Sequence, residues 1–225
     1  GYKPHYLSCW TCGFLPMVPA LSEISGLSEH VVRKLLVGLA REKRREGATP
    51  KGKLVMPTGV GPLLDCHQRY LKGRGFDPKQ LERQWGIKGI GLAARLPWRV
   101  FIPIIQGGQT VSWTTRAIED SGVRYLSARP EEEAISAKRI LYGEDHARHA
   151  IVIVEGPLDV WRIGPGAVAS LGLGITRAQV LLATHFPVRV VCYDSELEAQ
   201  KRAKQLCNAL EIFPGKTYRV TLDAK

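Results

Sequence analysis

Apolar residues recur at helical spacing across 28–46, where Val31, Val32, Leu35, Leu36 and Leu39 form one stripe. Ser28 stands before the stripe and is suited to cap it. Arg41, Lys43, Arg44 and Arg45 close the stretch and read as a solvated face. A second helical piece runs from about Leu64 to Lys72 and stops at Gly73 and Gly75. A third opens at Asp77-Pro78, with Asp as N-cap and Pro at the first helical position. Val100–Ile105 and Thr110–Ile118 read as strands on either side of Gly107-Gly108, which predicts a hairpin. Residues 1–20 show no period and read as irregular.

The rhythm changes in the last third. Ala150–Val154 has the continuous apolar character of a buried strand, and a short helical piece follows from Leu158. Ala167–Ser170 and Val188–Tyr193 are strand-like, with a helix predicted between them over Thr176–Ala183. Ser195–Leu210 is helical, with Ala199, Ala203, Leu206 and Leu210 on one face, and Thr217–Leu222 is a final strand. Alternating strands and helices imply an α/β domain with a parallel sheet and helices packed on it. The Gly- and Pro-rich stretch 47–62 separates this part from the first helix. It contains Gly47 to Lys53, a GxxxxGK by letter, but Leu54 stands where a phosphate loop needs Ser or Thr, and a charged helix precedes it in place of a strand. The linker reading replaces it.

Charge alters the picture most. The 225 residues carry 32 Lys and Arg against 21 Asp and Glu, a formal net charge of +11. Such an excess favours a polyanionic partner, most commonly nucleic acid. No apolar run approaches a membrane span, and no signal-like core marks the start. The five cysteines are scattered, which fits a reducing compartment better than a disulfide framework. Cys9-Trp10-Thr11-Cys12-Gly13 is one half of a zinc ribbon by spacing, without a second CxxC here. A redox dithiol and a pair with no function are the competing readings.

Two predicted strands run into acid. The first leads to Glu155-Gly156-Pro157-Leu158-Asp159, the second to Asp194-Ser195-Glu196. Ligands of open α/β sheets bind outside the carboxyl ends of the strands, so Glu155 and Asp194 are expected to face one crevice across 39 positions of sequence. Converging carboxylates repel unless a cation neutralises them, and an oxygen-only set suits Mg²⁺ or Mn²⁺. Each acid also has a plain structural use: Asp194 or Ser195 could cap the following helix, and Asp159 could face the dipole of its own. The joint arrangement, in a basic chain, points to phosphodiester chemistry.

IVIVEGPLDVWR, AVASLGLG and VRVVCYDSE, in this order, resemble the Toprim fold, and more closely the Toprim subdomain of bacterial and phage DnaG-type primases. RVFIPI, the Gly-Gly hairpin, WTTRAI, RYLSA and KRILYG resemble the basic N-terminal half of that polymerase core, and YLKGRGFDPKQLERQWGI its helical lead-in. CWTCG then resembles the second knuckle of the primase zinc ribbon, with Cys9 and Cys12 as a partial zinc site that holds Zn²⁺ only if completed upstream. The resemblance divides the chain into a ribbon remnant (1–20), a helix and linker (21–62), a basic subdomain (63–148) and a Toprim subdomain (149–225).

It implies a primase polymerase core, a DNA-directed RNA polymerase that makes short primers on single-stranded DNA from ribonucleoside triphosphates by two-metal phosphoryl transfer. Glu155, Asp194 and Glu196 would be catalytic, and with Asp159 they would hold the metal. Arg99, Arg116, Arg124 and Lys138 would contact nucleotide or DNA. A replicative helicase is the implied partner, and the cytoplasm of a bacterium or a phage-infected bacterium the implied location. The family has Asp-x-Asp where this chain has Asp194-Ser195-Glu196, which lengthens one ligand by a methylene. A Toprim nuclease using the same acids, and a weakly catalytic single-strand-binding or helicase-docking module, are the alternatives.

Overall fold

The computed structural model describes residues 6–9, 13–33, 52–93, 95–119, 122–172 and 174–222. The chain divides into two compact units, residues 1–47 and 48–225. In the first unit, β1 (Tyr6–Cys9) pairs antiparallel with β2 (Gly13–Pro16), and α1 (Met17–Ser25) follows directly. The irregular reading of 1–20 is therefore corrected. Two four-residue strands are too short to show a period, and Pro19 conceals the helix. Proline is tolerated there because the first N–H groups of a helix have no intrahelical partner. Gly26 ends α1 in the left-handed region, at φ 70. Residues 29–33 are helical. The rest of the helix expected to reach residue 46, including Arg41–Arg45, lies outside the described residues.

The second unit holds two sheets. The first is antiparallel, in the order β3 (Val60–Gly61), β4 (Lys88–Ile90), β5 (Arg99–Gln106), β6 (Gln109–Ala117) and β7 (Tyr125–Ser127). Two helices precede its long hairpin: α2 (Asp65–Gly73) and α3 (Pro78–Trp85), the latter capped by Asp77, which accepts from the Lys79 N–H. The second sheet is parallel and comprises β8 (Ala150–Val154), β9 (Ala167–Ala169), β10 (Val188–Tyr193) and β11 (Lys216–Thr221). Its spatial order is β11-β10-β8-β9. The helices α4 (Pro157–Ile163), α5 (Arg177–Ala183) and α6 (Leu197–Leu210) connect the strands, so the α/β architecture read from the sequence is the one observed. Among the described residues no helix is long and apolar enough to cross a membrane.

β5 is buried on both faces and joins the sheets. Val100, Ile102 and Ile104 pack in one cluster with Val154 and Val160 of the parallel half. On the other side, Phe101 packs with Ile90, Leu96 and Trp113. The predicted face of α6, Ala199, Ala203, Leu206 and Leu210, is buried against Ile153, Val191 and Tyr193. Each large aliphatic side chain buried in this way contributes roughly 1.5–3 kcal/mol.

Buried polar groups fix the seams between these layers. Gln179 in α5 is fully buried, and its amide donates to the carbonyls of Ile140 (2.8 Å) and Ser170 (2.9 Å). His67 is also fully buried. Its Nδ1 accepts the Leu64 N–H at 3.1 Å, which leaves Nε2 to donate to the Ile90 carbonyl at 3.1 Å. A neutral imidazole is therefore built into the joint between α2 and β4. Gly89 lies against it, where a Cβ would meet the ring and the Pro62 carbonyl at 2.8 Å.

Burial holds the His67 pKa below its ordinary 6.5. The unfolded chain then takes up the proton first, so the His67 contribution to stability is complete above pH 6.5 and is lost as pH falls through the lowered folded value. Urea denaturation of the parent and of His67→Gln across pH 5–8 is expected to show the parent's advantage shrinking below pH 6.5. Gly89→Ala is expected to cost about 1–3 kcal/mol at pH 7.5 in the same measurement.

Candidate active site

β8 and β10 are hydrogen-bonded neighbours running parallel, with Val191 opposite Ile153. Their carboxyl ends therefore place Glu155 and Asp194 side by side. The Asp194 N–H points to Glu155 Oε1 at 3.4 Å. Beyond Glu155 the chain turns at Gly156, and Pro157 starts α4 where no N–H is needed. One turn in, Asp159 Oδ2 accepts the Gly156 N–H at 3.1 Å. Asp159 thus has a structural use in the first turn of α4, where it accepts the N–H of the N-cap glycine. α6 is different: its N-cap is Glu196, with no side-chain capping bond, so neither Asp194 nor Ser195 fills that role.

Electrostatics mark the carboxylates as a group. Burial raises the Glu155 carboxyl above its usual range, and the Asp194 charge raises it further, against the opposing effect of Arg202. Asp159 is raised by burial and then by Asp194, with Arg162 opposing. Glu155, Asp159 and Asp194 could together hold a divalent cation, since the donors are all oxygen and such an ion would relieve the repulsion. Among the described residues, no three side chains of ligating type already form a cluster able to hold a metal ion. Glu196 stands exposed at the start of α6, and its charge is not among those that raise Glu155 or Asp159.

A cavity of about 510 Å³ is lined by Glu155 and Asp159 together with Arg74, Arg116 and Arg124. Arg116, on β6, is held by tyrosines. Its Nε donates to Tyr70 Oη at 3.0 Å, and its guanidinium lies 4.8 Å over the Tyr125 ring. Arg74 stacks on Tyr70 at 5.2 Å. Cations on aromatic faces lose little entropy when they bind an anion, because their direction is already set.

Two of the four basic residues expected to touch nucleotide or DNA have partners within the chain. Arg99 is 3% exposed. Its Nε donates to Thr115 Oγ1 at 2.9 Å, and Nη2 donates to the carbonyls of Val123 (2.7 Å) and Arg124 (3.3 Å), so it supports the loop that presents Arg124. Lys138 is exposed and donates from Nζ to the carbonyl of Leu171, a cavity-lining residue, at 2.7 Å. Leu171 is held at φ 56, in the left-handed region that a branched residue seldom adopts. Cys9 ends β1, and Cys12 lies outside the described residues. Sequence reasoning missed Tyr70, Arg74 and Tyr125. Tyr70 and Arg74 are four apart, which puts them on one helix face, but nothing in the spacing shows Arg116 crossing 46 positions to reach them.

No family model matches the sequence, and no curated protein matches it. Solved structures do match. The DnaG catalytic core gives a TM-score of 0.62 at 18% identity, over 72% of this chain and 66% of that one. The DnaG primase catalytic domain bound to single-stranded DNA gives 0.63 at 18%, over 72% and 65%. The zinc-binding and RNA polymerase domains of Aquifex aeolicus primase give 0.59 at 18%, over 97% and 67%. The parallel sheet with flanking helices and the antiparallel sheet before it are thus a shared architecture. The chain has the fold of DnaG-type primase catalytic cores, and it spans about two thirds of the length of those structures.

Because Asp194 is the charge that raises both neighbours, Asp194→Asn is expected to return the Glu155 and Asp159 carboxyls toward their ordinary values. Carbon-detected NMR titration of the side-chain carboxyls checks this. Unchanged midpoints would mean that the three groups do not share one field.

Proposed function

We propose that this chain is the RNA polymerase core of a DnaG-type primase, making short RNA primers on single-stranded DNA. The observation that carries the reading is the cavity lined by both Glu155 and Asp159 and by Arg74, Arg116 and Arg124. Acids and guanidinium groups in one cavity suit a triphosphate whose α-phosphorus is attacked near the acids. The solved DnaG domain with single-stranded DNA supports extending that ligand to this chain. A replicative helicase belongs to the same reading.

In this reaction a 3′-hydroxyl bonds to the α-phosphorus, its proton departs, and pyrophosphate leaves. Glu155, which lines the cavity at the end of β8 beside Asp194, would take the proton. Arg116 and Arg124 would hold phosphate oxygens by charge-assisted hydrogen bonds and keep the leaving group in line. Arg99 would keep the Arg124 loop at its height. Mg²⁺ or Mn²⁺ at Glu155, Asp159 and Asp194, with Glu196 joining from the start of α6, would supply Lewis-acid stabilisation of the phosphate charge.

One gel tests the reading. The chain is incubated with single-stranded DNA, labelled ribonucleotides and Mn²⁺ or Mg²⁺, beside Glu155→Gln and Arg116→Ala. Short labelled RNA is expected, reduced by about 100-fold or more in Glu155→Gln. Arg116→Ala is expected to raise the KM for nucleotide more than it lowers kcat. Primer synthesis that survives Glu155→Gln would overturn the assignment, and cut template without RNA would assign a nuclease.

A further inference from the structure

Gln200 lies in the first turns of α6, outside the cavity and half-buried. Its amide makes more bonds to the acidic edge than any acid there makes to another. Nε2 donates to the Tyr193 carbonyl at 3.1 Å and to the Asp194 carbonyl at 2.9 Å. Its Oε1 receives the Thr221 hydroxyl at 3.4 Å from the edge strand β11. Two carbonyl acceptors on one side and a hydroxyl donor on the other settle which end of the amide points where. On the opposite side of the same residue, the Asp194 N–H points to Glu155 Oε1. The backbone of Asp194 is therefore tied at both ends, by Glu155 at its N–H and by Gln200 at its carbonyl. The segment between β10 and α6 has no side-chain cap of its own, and the Gln200 amide is the side chain that binds its carbonyls.

We propose that Gln200 is the positioning residue of the carboxylate cluster. It holds the Tyr193-Asp194 backbone in the one arrangement that presents the Asp194 carboxylate beside Glu155. The proposal rests on the metal-binding reading of Glu155, Asp159 and Asp194. Partners that orient metal ligands from behind typically change metal affinity by about 10–100-fold when removed. Gln200 has no contact with the cavity, so its effect reaches metal through Asp194 alone.

Mn²⁺ binding, followed by loss of the free-ion electron paramagnetic resonance signal, tests this without relying on catalysis. Gln200→Met keeps the length of the side chain and removes both donors. It is expected to weaken Mn²⁺ binding by about 10-fold with an unchanged melting temperature. Gln200→Arg keeps N–H donors to the Asp194 carbonyl and is expected to bind within about threefold of the parent. A folded Met variant that binds as the parent does would overturn the proposal. So would a folded Arg variant that binds 10-fold more weakly, and this outcome decides the matter even if the Met variant does not fold. Asp194→Asn separates the two levels of the argument. If it lowers affinity while Gln200→Met does not, only the role of Gln200 fails. If the parent binds no Mn²⁺, or Asp194→Asn binds as tightly as the parent, the metal reading falls and takes the proposal with it.

Discussion

Carboxylates at the ends of neighbouring parallel strands repel one another, and partial burial weakens the water screening that would otherwise relieve them. Glu155, half-buried, and Asp194, exposed at the rim, are brought together because β8 and β10 are adjacent and parallel. The sheet cannot separate them without breaking its ladder, and the apolar packing of Ile153, Val191 and Tyr193 against α6 holds the ladder in place. Burial, and then the Asp194 charge, raise the carboxyls of Glu155 and Asp159.

The same cavity carries fixed positive charge. Arg116 is held between Tyr70 and Tyr125, and Arg99 is buried beneath the loop that carries Arg124. Buried cations are costly unless their hydrogen bonds are met, and Arg99 meets them with two backbone carbonyls and a threonine hydroxyl. The antiparallel sheet is thus more than a support for the parallel one. Through β5, whose two faces serve different apolar clusters, it packs against the parallel half while its strand β6 carries Arg116.

Most elements were legible because their patterns are local. The apolar run 150–154, the alternation before Asp194 and the α6 stripe all depend on the period of the backbone itself. The first hairpin was not legible, since four-residue strands carry too few positions to show a period. The basic residues divide for a related reason. Sequence marks Arg99 and Arg116 as alike, two arginines on the two arms of one hairpin. Which of them turns into the core and which into the cavity depends on the partners available on each face of the sheet.

The order of strand, acid, helix determined that Glu155 and Asp194 would end up at one edge, because parallel strands in a right-handed α/β unit align their carboxyl ends. Composition determined that this edge would sit in a basic molecule. Only the tertiary structure decided that Asp159 accepts the Gly156 N–H, that Glu196 is exposed at the start of α6, and that Arg74 and Tyr125 join the cavity lining with Tyr70 holding Arg116. Those outcomes turn on side-chain directions and on contacts between segments far apart in the chain, which a local period does not encode.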